Sequence, residues 1–172
     1  MNLKPLDIIL LEGVKGNVPD EIIMHWSNSA FTHCVVVKNE NGDIWDANVG
    51  GILDRNISYY ADRYKTVRRL NPDINCYYDI AWQNKIIDWI NIKQKICQGY
   101  DYLAWLGFGT GIEYFEDEDR WYCSELPYWM FQDNGLKLTG EDLTFVYPNF
   151  FLYDKRWVRP DLFQSILWEE VR

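Results

Sequence analysis

Few side chains in this chain could do covalent or acid-base work, and the most economical set joins Cys123, one of only two histidines, and a polar residue on the strand after that histidine. The chemistry would be attack by sulfur on a carbonyl. A thiol of ordinary pKa, about 8.5, is mostly protonated at neutral pH, whereas the start of a helix supplies partial positive charge and free N–H groups that favour the thiolate. The stretch Trp121 to Gln132, WYCSELPYWMFQ, has Leu126, Trp129 and Met130 at helical spacing and stops at Asn134-Gly135, so Cys123 is expected at a helix start. The same N–H groups could receive the oxyanion that forms as a thiolate adds to a carbonyl.

A thiolate also needs an imidazole to pair with it and to hand a proton to the leaving group. His33 lies in THCVVVK, Thr32 to Lys38, whose β-branched residues read as a strand that fixes the ring's direction, while His25 falls on a helix ending at Trp26-Ser27-Asn28. Asn41-Gly42 signals a hairpin, and Asp43 to Asn48, DIWDAN, alternates as the return strand. With Asn41 and Gly42 as a two-residue turn, Val37 faces Asp46 and Val35 faces Asn48, all on the face that carries His33. Either Asp46 or Asn48 could orient the ring. The simple register brings Asn48 nearer, and a bulge or longer turn would favour Asp46, whose carboxylate better stabilises an imidazolium.

The positioning elements read as α+β. Asp7 to Leu11 is a short buried strand, and Pro19 opens a helix marked by Ile22, Ile23 and Trp26. Beyond the hairpin, Gly50-Gly51 leads to a strand over Ile52 to Arg55. Ser58 then caps a short helix through Tyr64, and Thr66 to Leu70 returns as a strand. Ile80, Ile86, Ile87, Ile90 and Ile96 mark one side of a long amphipathic helix from Asn75 to Cys97, stopped by Gly99. Asp101 to Phe108 reads as another helical segment, Gly107 to Gly111 as a loosening before the acidic run Glu113 to Asp119, and Asn149 to Tyr153 as a short helix after Pro148. Leu162 to Trp168 is a closing strand or helix. No linker divides the chain, so residues 1–172 are expected to form one domain, a mainly antiparallel sheet packed by helices.

The order of these pieces, His33 on a strand, GDIWDA on the next, and a distant YCSEL opening a helix, resembles the circularly permuted papain-like hydrolases of the NlpC superfamily, in particular the YiiX-like branch. The opening PLDIILLEG, the FTHCVVV strand and GYDYLAWLGFG ahead of the cysteine extend the resemblance over most of the chain. It implies a permuted papain-like fold with Cys123 as nucleophile, His33 as base and Asp46 as third member. It also implies amide hydrolysis of peptides, including those of cell-wall type, with lipid acyl transfer and thioester cleavage as variants. Departures from the pattern are Cys34 and the valines beside His33, and the lack of an assignable oxyanion side chain.

Composition narrows the alternatives. A chain of 172 residues, 48% hydrophobic, with 9 Trp, 12 Tyr and 8 Phe, can bury a substantial core and is not disordered. Seventeen basic against twenty-six acidic residues give a formal charge of −9, the wrong sign for nucleic acid or an anionic membrane surface. No apolar run approaches the roughly 20 residues of a spanning helix and no signal peptide is seen, which reads as a soluble, cytoplasmic protein. Cys34, Cys76, Cys97 and Cys123 stand far apart with no CxxC pair, so zinc, thioredoxin chemistry and other cofactors are not expected. Glu125 is expected to cap or salt-bridge the cysteine helix, and the acidic run to be a solvated loop. Among the aromatics near Cys123, Trp121 and Tyr122, together with Asn48, are the candidates to contact a peptide or acyl substrate. A binding protein of the same fold that holds such a ligand without turnover is the rival reading.

Overall fold

Two unbroken apolar runs, IILL and CVVV, form the neighbouring central strands of a six-stranded sheet. The computed structural model describes residues 2–71, 74, 79–97, 99–101, 120–138 and 146–160. Within it, β1 (Ile8–Glu12), β2 (Phe31–Val37), β3 (Asp43–Asn48), β4 (Gly51–Asn56), β5 (Lys65–Leu70) and β6 (Trp157–Val158) pair antiparallel throughout, in the order β4-β3-β2-β1-β5-β6. Four helices accompany it among the described residues: α1 (Val18–Ser27), α2 (Ile80–Ile96), α3 (Glu125–Gln132) and α4 (Phe150–Tyr153). A single 3₁₀ turn, Ile57–Tyr60, joins β4 to β5. The class is α+β, as the sequence indicates.

Both central strands are covered on both faces, which is why they carry no polar alternation. On one face Ile8, Leu10, Cys34 and Val36 pack with Ile86 and Ile90 of α2 and with Leu126 and Met130 of α3. On the other, Ile9, Leu11, Val35 and Val37 pack with Leu3, Ile44, Tyr60 and Val67. Each fully buried aliphatic side chain of this kind contributes about 1.5–3 kcal/mol. The stripe on α2 is narrower than its isoleucines suggest, because Ile80 and Ile96 at its ends are exposed. Among the described residues no helix is long and apolar enough to cross a membrane.

Several local expectations need correction. The β2–β3 connection is not a two-residue turn. Val37 pairs with Ile44 and Lys38 N donates to Asp43 O, so the loop spans Asn39 to Gly42. Asn39 organises it: its Oδ1 accepts from the amides of Asn41 and Asp43, and its Nδ2 donates to Asp43. Asn56, not Ser58, caps the turn that follows β4, and that turn ends at Tyr60 instead of Tyr64. Asp79 caps α2, its Oδ1 accepting from Ala81 and Trp82. Asn75, where the sequence pattern starts this helix, lies outside the described residues. So do Cys76, most of the segment Asp101 to Phe108, the acidic run Glu113 to Asp119, and Leu162 to Trp168.

Candidate active site

Cys123 lies two residues before Glu125, the first residue of α3, with Ser124 as N-cap. Ser124 makes no side-chain cap; its hydroxyl donates instead to Val146 O at 2.6 Å. Glu125 reaches back so that its Oε2 accepts from the Tyr122 amide at 3.3 Å, the capping role expected of it. The Cys123 amide, just before the N-cap, donates to no acceptor among the described residues.

The thiol and the imidazole come from opposite faces of the sheet. Cys123 packs in the cluster on the α2 and α3 side, while alternation places His33 on the face of Val35 and Val37. They meet at the start of β2, where Cys123 Sγ lies 3.9 Å from the Thr32 carbonyl oxygen. A β-bulge sits at this point, since Leu11 opposes His33 but Glu12 opposes Phe31, leaving Thr32 as the extra residue. Such a bulge re-aims the adjoining side chain.

His33 Nε2 lies 2.8 Å from Asp46 Oδ1. Asp46 is fully buried, and its Oδ2 accepts from Tyr60 Oη at 2.7 Å, Arg55 Nη1 at 2.9 Å and Asn48 Nδ2 at 3.4 Å. Burial pushes the Asp46 carboxyl up, but the bonds from His33 and Tyr60 and the Arg55 charge outweigh it and hold the group below the usual carboxylate value. Asn48 therefore supports the carboxylate and does not itself hold the ring. It also donates to Tyr60 Oη at 3.1 Å.

With Nε2 engaged by Asp46, the ring's other nitrogen, Nδ1, is the one left for Cys123. Burial disfavours the imidazolium, yet the charge of Cys123 and hydrogen bonds with Asp46 and Cys123 raise the His33 pKa to about 10. Cys123 moves the opposite way. The Cys34 side chain donates to its sulfur, burial opposes, and His33 adds charge attraction and a hydrogen bond, holding the thiol well below its ordinary range. The Cys34 thiol itself is pushed well above its ordinary range, by burial first and then by its charged neighbour. Cys34 Sγ also lies 3.1 Å from Cys123 O, so one buried S–H addresses both the backbone and the sulfur of Cys123.

Cys123, His33 and Asp46 are thus brought together. Trp121 and Tyr122 are placed elsewhere: Trp121 packs edge-on against Trp89 at 5.5 Å, and Tyr122 is buried with its hydroxyl accepting from the Val146 amide at 3.1 Å. Neither lines the cleft of about 270 Å³ that opens on the His33 side, whereas Asn48 does. Sequence reasoning missed Tyr60, Arg55 and the donor role of Cys34. Arg55 was accessible in principle: β3 and β4 pair with Asn48 opposite Gly51 and Asp46 opposite Leu53, so strand alternation puts Arg55 diagonally across from Asp46. Tyr60 arrives on a 3₁₀ turn, where no strand or helix periodicity points to it.

The donors do not fit a metal centre. His33 is committed to Asp46 and Cys123, and among the described residues no group of three or more His, Cys, Asp or Glu side chains is placed to hold an ion.

No protein-family model matches the chain, and no curated protein sequence does. Among solved structures, the metalloprotein YiiX from Escherichia coli O157:H7, also described as DUF1105, superposes with a TM-score of 0.63 over 92% of this chain and 96% of that one, at 15% identity. The architecture that carries Cys123, His33 and Asp46 is therefore a YiiX-like α+β fold.

Proposed function

We propose that the protein is a cysteine-dependent hydrolase of amide bonds, an amidase or peptidase, working through Cys123, His33 and Asp46. The observation that carries this reading is the position of His33, bonded through Nε2 to a fully buried carboxylate at the start of β2, where Cys123 Sγ lies 3.9 Å from the carbonyl oxygen of the preceding Thr32. The resemblance of the Thr-His strand and the YCSEL segment to permuted papain-like hydrolases supports it.

In the reaction, Cys123 Sγ adds to the carbonyl carbon and the carbonyl π electrons move to oxygen. The oxyanion is stabilised by amides at the start of α3, that of Cys123 among them. His33 Nδ1–H then protonates the leaving nitrogen as the C–N bond breaks, giving a thioester and free amine. His33, now neutral, removes a proton from water as the water oxygen attacks the thioester. Collapse expels the thiolate and releases the acid, with the imidazolium restored. Asp46 stays ionised throughout and holds the ring in place. Peptides, including those of cell-wall type, are the substrate class that the family resemblance implies.

The test is alkylation rate against pH at each cysteine, read by peptide mass spectrometry in the native protein and in His33→Ala. Fast reaction at Cys123 alone near neutral pH, lost without His33, is the expected result. Reactivity at Cys123 no greater than at Cys97 would overturn the proposal. Substrate turnover that disappears in Cys123→Ala completes the case for an enzyme, while affinity without turnover would favour a binding protein.

A further inference from the structure

The cleft beside His33 has an uneven set of unused hydrogen-bonding groups. Asp20, on α1 and buried, accepts from the Val14 amide at 2.8 Å and the Thr32 hydroxyl at 2.6 Å, and it pairs with Arg63 Nη2 at 3.7 Å. The Thr32 hydroxyl in turn accepts from Arg63 Nη2 at 2.9 Å. Asn48 and Tyr60, which also line the cleft, are committed to Asp46 and to one another. Arg63 is pinned a second time by donation from Nε to Glu12 O at 2.6 Å, which leaves Nη1 with no acceptor among the described residues. At the mouth, Asn17 spends its Oδ1 on the Asp20 amide, so that its Nδ2 is likewise unspent. Arg63 and Asn17 both line the cleft with His33.

Two unspent donors, one of them cationic on a side chain only 13% exposed, have a definite chemical complement. Asp20 offsets part of the Arg63 charge from 3.7 Å but does not reach Nη1, and a substrate carboxylate would accept from Nη1 in a charge-assisted bond and from Asn17 Nδ2 in an ordinary one. We propose, on the hydrolase reading above, that this cleft is a subsite for a substrate carboxylate, with Arg63 as its specificity-determining residue and Asn17 as second donor. The substrates so favoured are peptides or acylated amino acids that carry a free carboxylate next to the bond cleaved.

Matched alkylating probes test it: iodoacetylglycine and iodoacetyl-β-alanine as free acids, each against its carboxamide, with the rate at Cys123 compared with that at Cys97 in the same molecule. The chain's charge of −9 repels anionic reagents in general, so any preference for the acids at Cys123 stands against the overall field. At least one acid should react about tenfold faster than its amide at Cys123, with no such ratio at Cys97. The acid-to-amide ratio should collapse in Arg63→Gln and fall part-way in Asn17→Ser, which keeps an N-cap acceptor but loses the donor. The ratio cancels any change in thiolate content, and Asn17→Ser alone is decisive if Arg63→Gln does not fold. A ratio near one in the native protein, or one that neither substitution moves, overturns the subsite. Slow reaction of Cys123 with acids and amides alike would instead overturn the hydrolase reading.

Discussion

Asp46 meets His33 at 2.8 Å from a position diagonal to it across β2 and β3, on a carboxylate that three further donors hold from the other side. The ring is therefore fixed by a group that cannot swing away, and its charged form has a full counter-ion behind it. A thiolate in front and a carboxylate behind are both needed to keep a buried imidazolium protonated.

The pH dependence follows from the directions of the two shifts. Between about 6.5 and 9, the ordinary values for His and Cys, the folded pair is thiolate plus imidazolium and the unfolded pair is thiol plus neutral imidazole. Both hold one proton, so this site adds no slope to stability there. Above 9 the unfolded thiol ionises while folded His33 keeps its proton up to about 10, so the folded state binds more protons and stability falls with rising pH. Below 6.5 the unfolded histidine gains a proton that the folded pair has no place for until Cys123 is protonated, and stability falls with falling pH. Chemical denaturation across pH should show this plateau in the native protein, and both of its shoulders should be absent in a His33→Ala, Cys123→Ala double variant.

Asp46→Asn keeps the shape but removes the counter-charge. Turnover should drop by about 10²–10⁴-fold, and the upper limit of the Cys123 alkylation plateau should move down from pH 10 toward neutrality. Tyr60→Phe should cost less, because Arg55 and His33 still hold the carboxylate. The two substitutions address one network, so their combined loss should be smaller than the two losses added together. Strict additivity would show that Tyr60 acts elsewhere.

Cys34 is a positioning residue in this scheme, acting through Cys123. Cys34→Ala removes the buried S–H that addresses the nucleophile, at a stability cost of about 1 kcal/mol for the small void. The pH at which Cys123 becomes half reactive should rise. Cys34→Ser, whose hydroxyl also donates, should restore most of the lower value. A purely structural role would change thermal stability and leave the alkylation profile where it was.

The candidate site was legible where one residue type had few alternatives: two histidines, one of them on a strand, and one cysteine beside a helix start. The register from a two-residue turn was wrong by two positions, yet an even shift keeps every side chain on its face, so His33, Asp46 and Asn48 stayed together. What the register could not show was the reach of the ring to Asp46 in preference to Asn48, which depends on Tyr60 and Arg55 arriving from β4 and the turn after it. Trp121 and Tyr122 were misplaced for a related reason. Nearness in sequence to Cys123 says nothing of direction, and the approach to α3 turns both into the core.

The loop that sets this register offers a test of how far position depends on one backbone conformation. Gly42 has φ +85°, in the region that side chains disfavour, and a Cβ there would lie 2.9 Å from Ile57 Cγ2. Gly42→Ala should therefore lose about 1–2 kcal/mol from the backbone conformation, with further loss as Ile57 is displaced. Ile57 begins the turn that ends at Tyr60, so the disturbance has a direct route to the Asp46 network. Gly42→Ala should thus slow Cys123 alkylation at neutral pH as well as lower the melting temperature. By contrast Gly16→Ala, also at positive φ but in open space, should lower the melting temperature alone. Equal effects of both substitutions on Cys123 would mean that reactivity tracks global stability and not the placement of Tyr60.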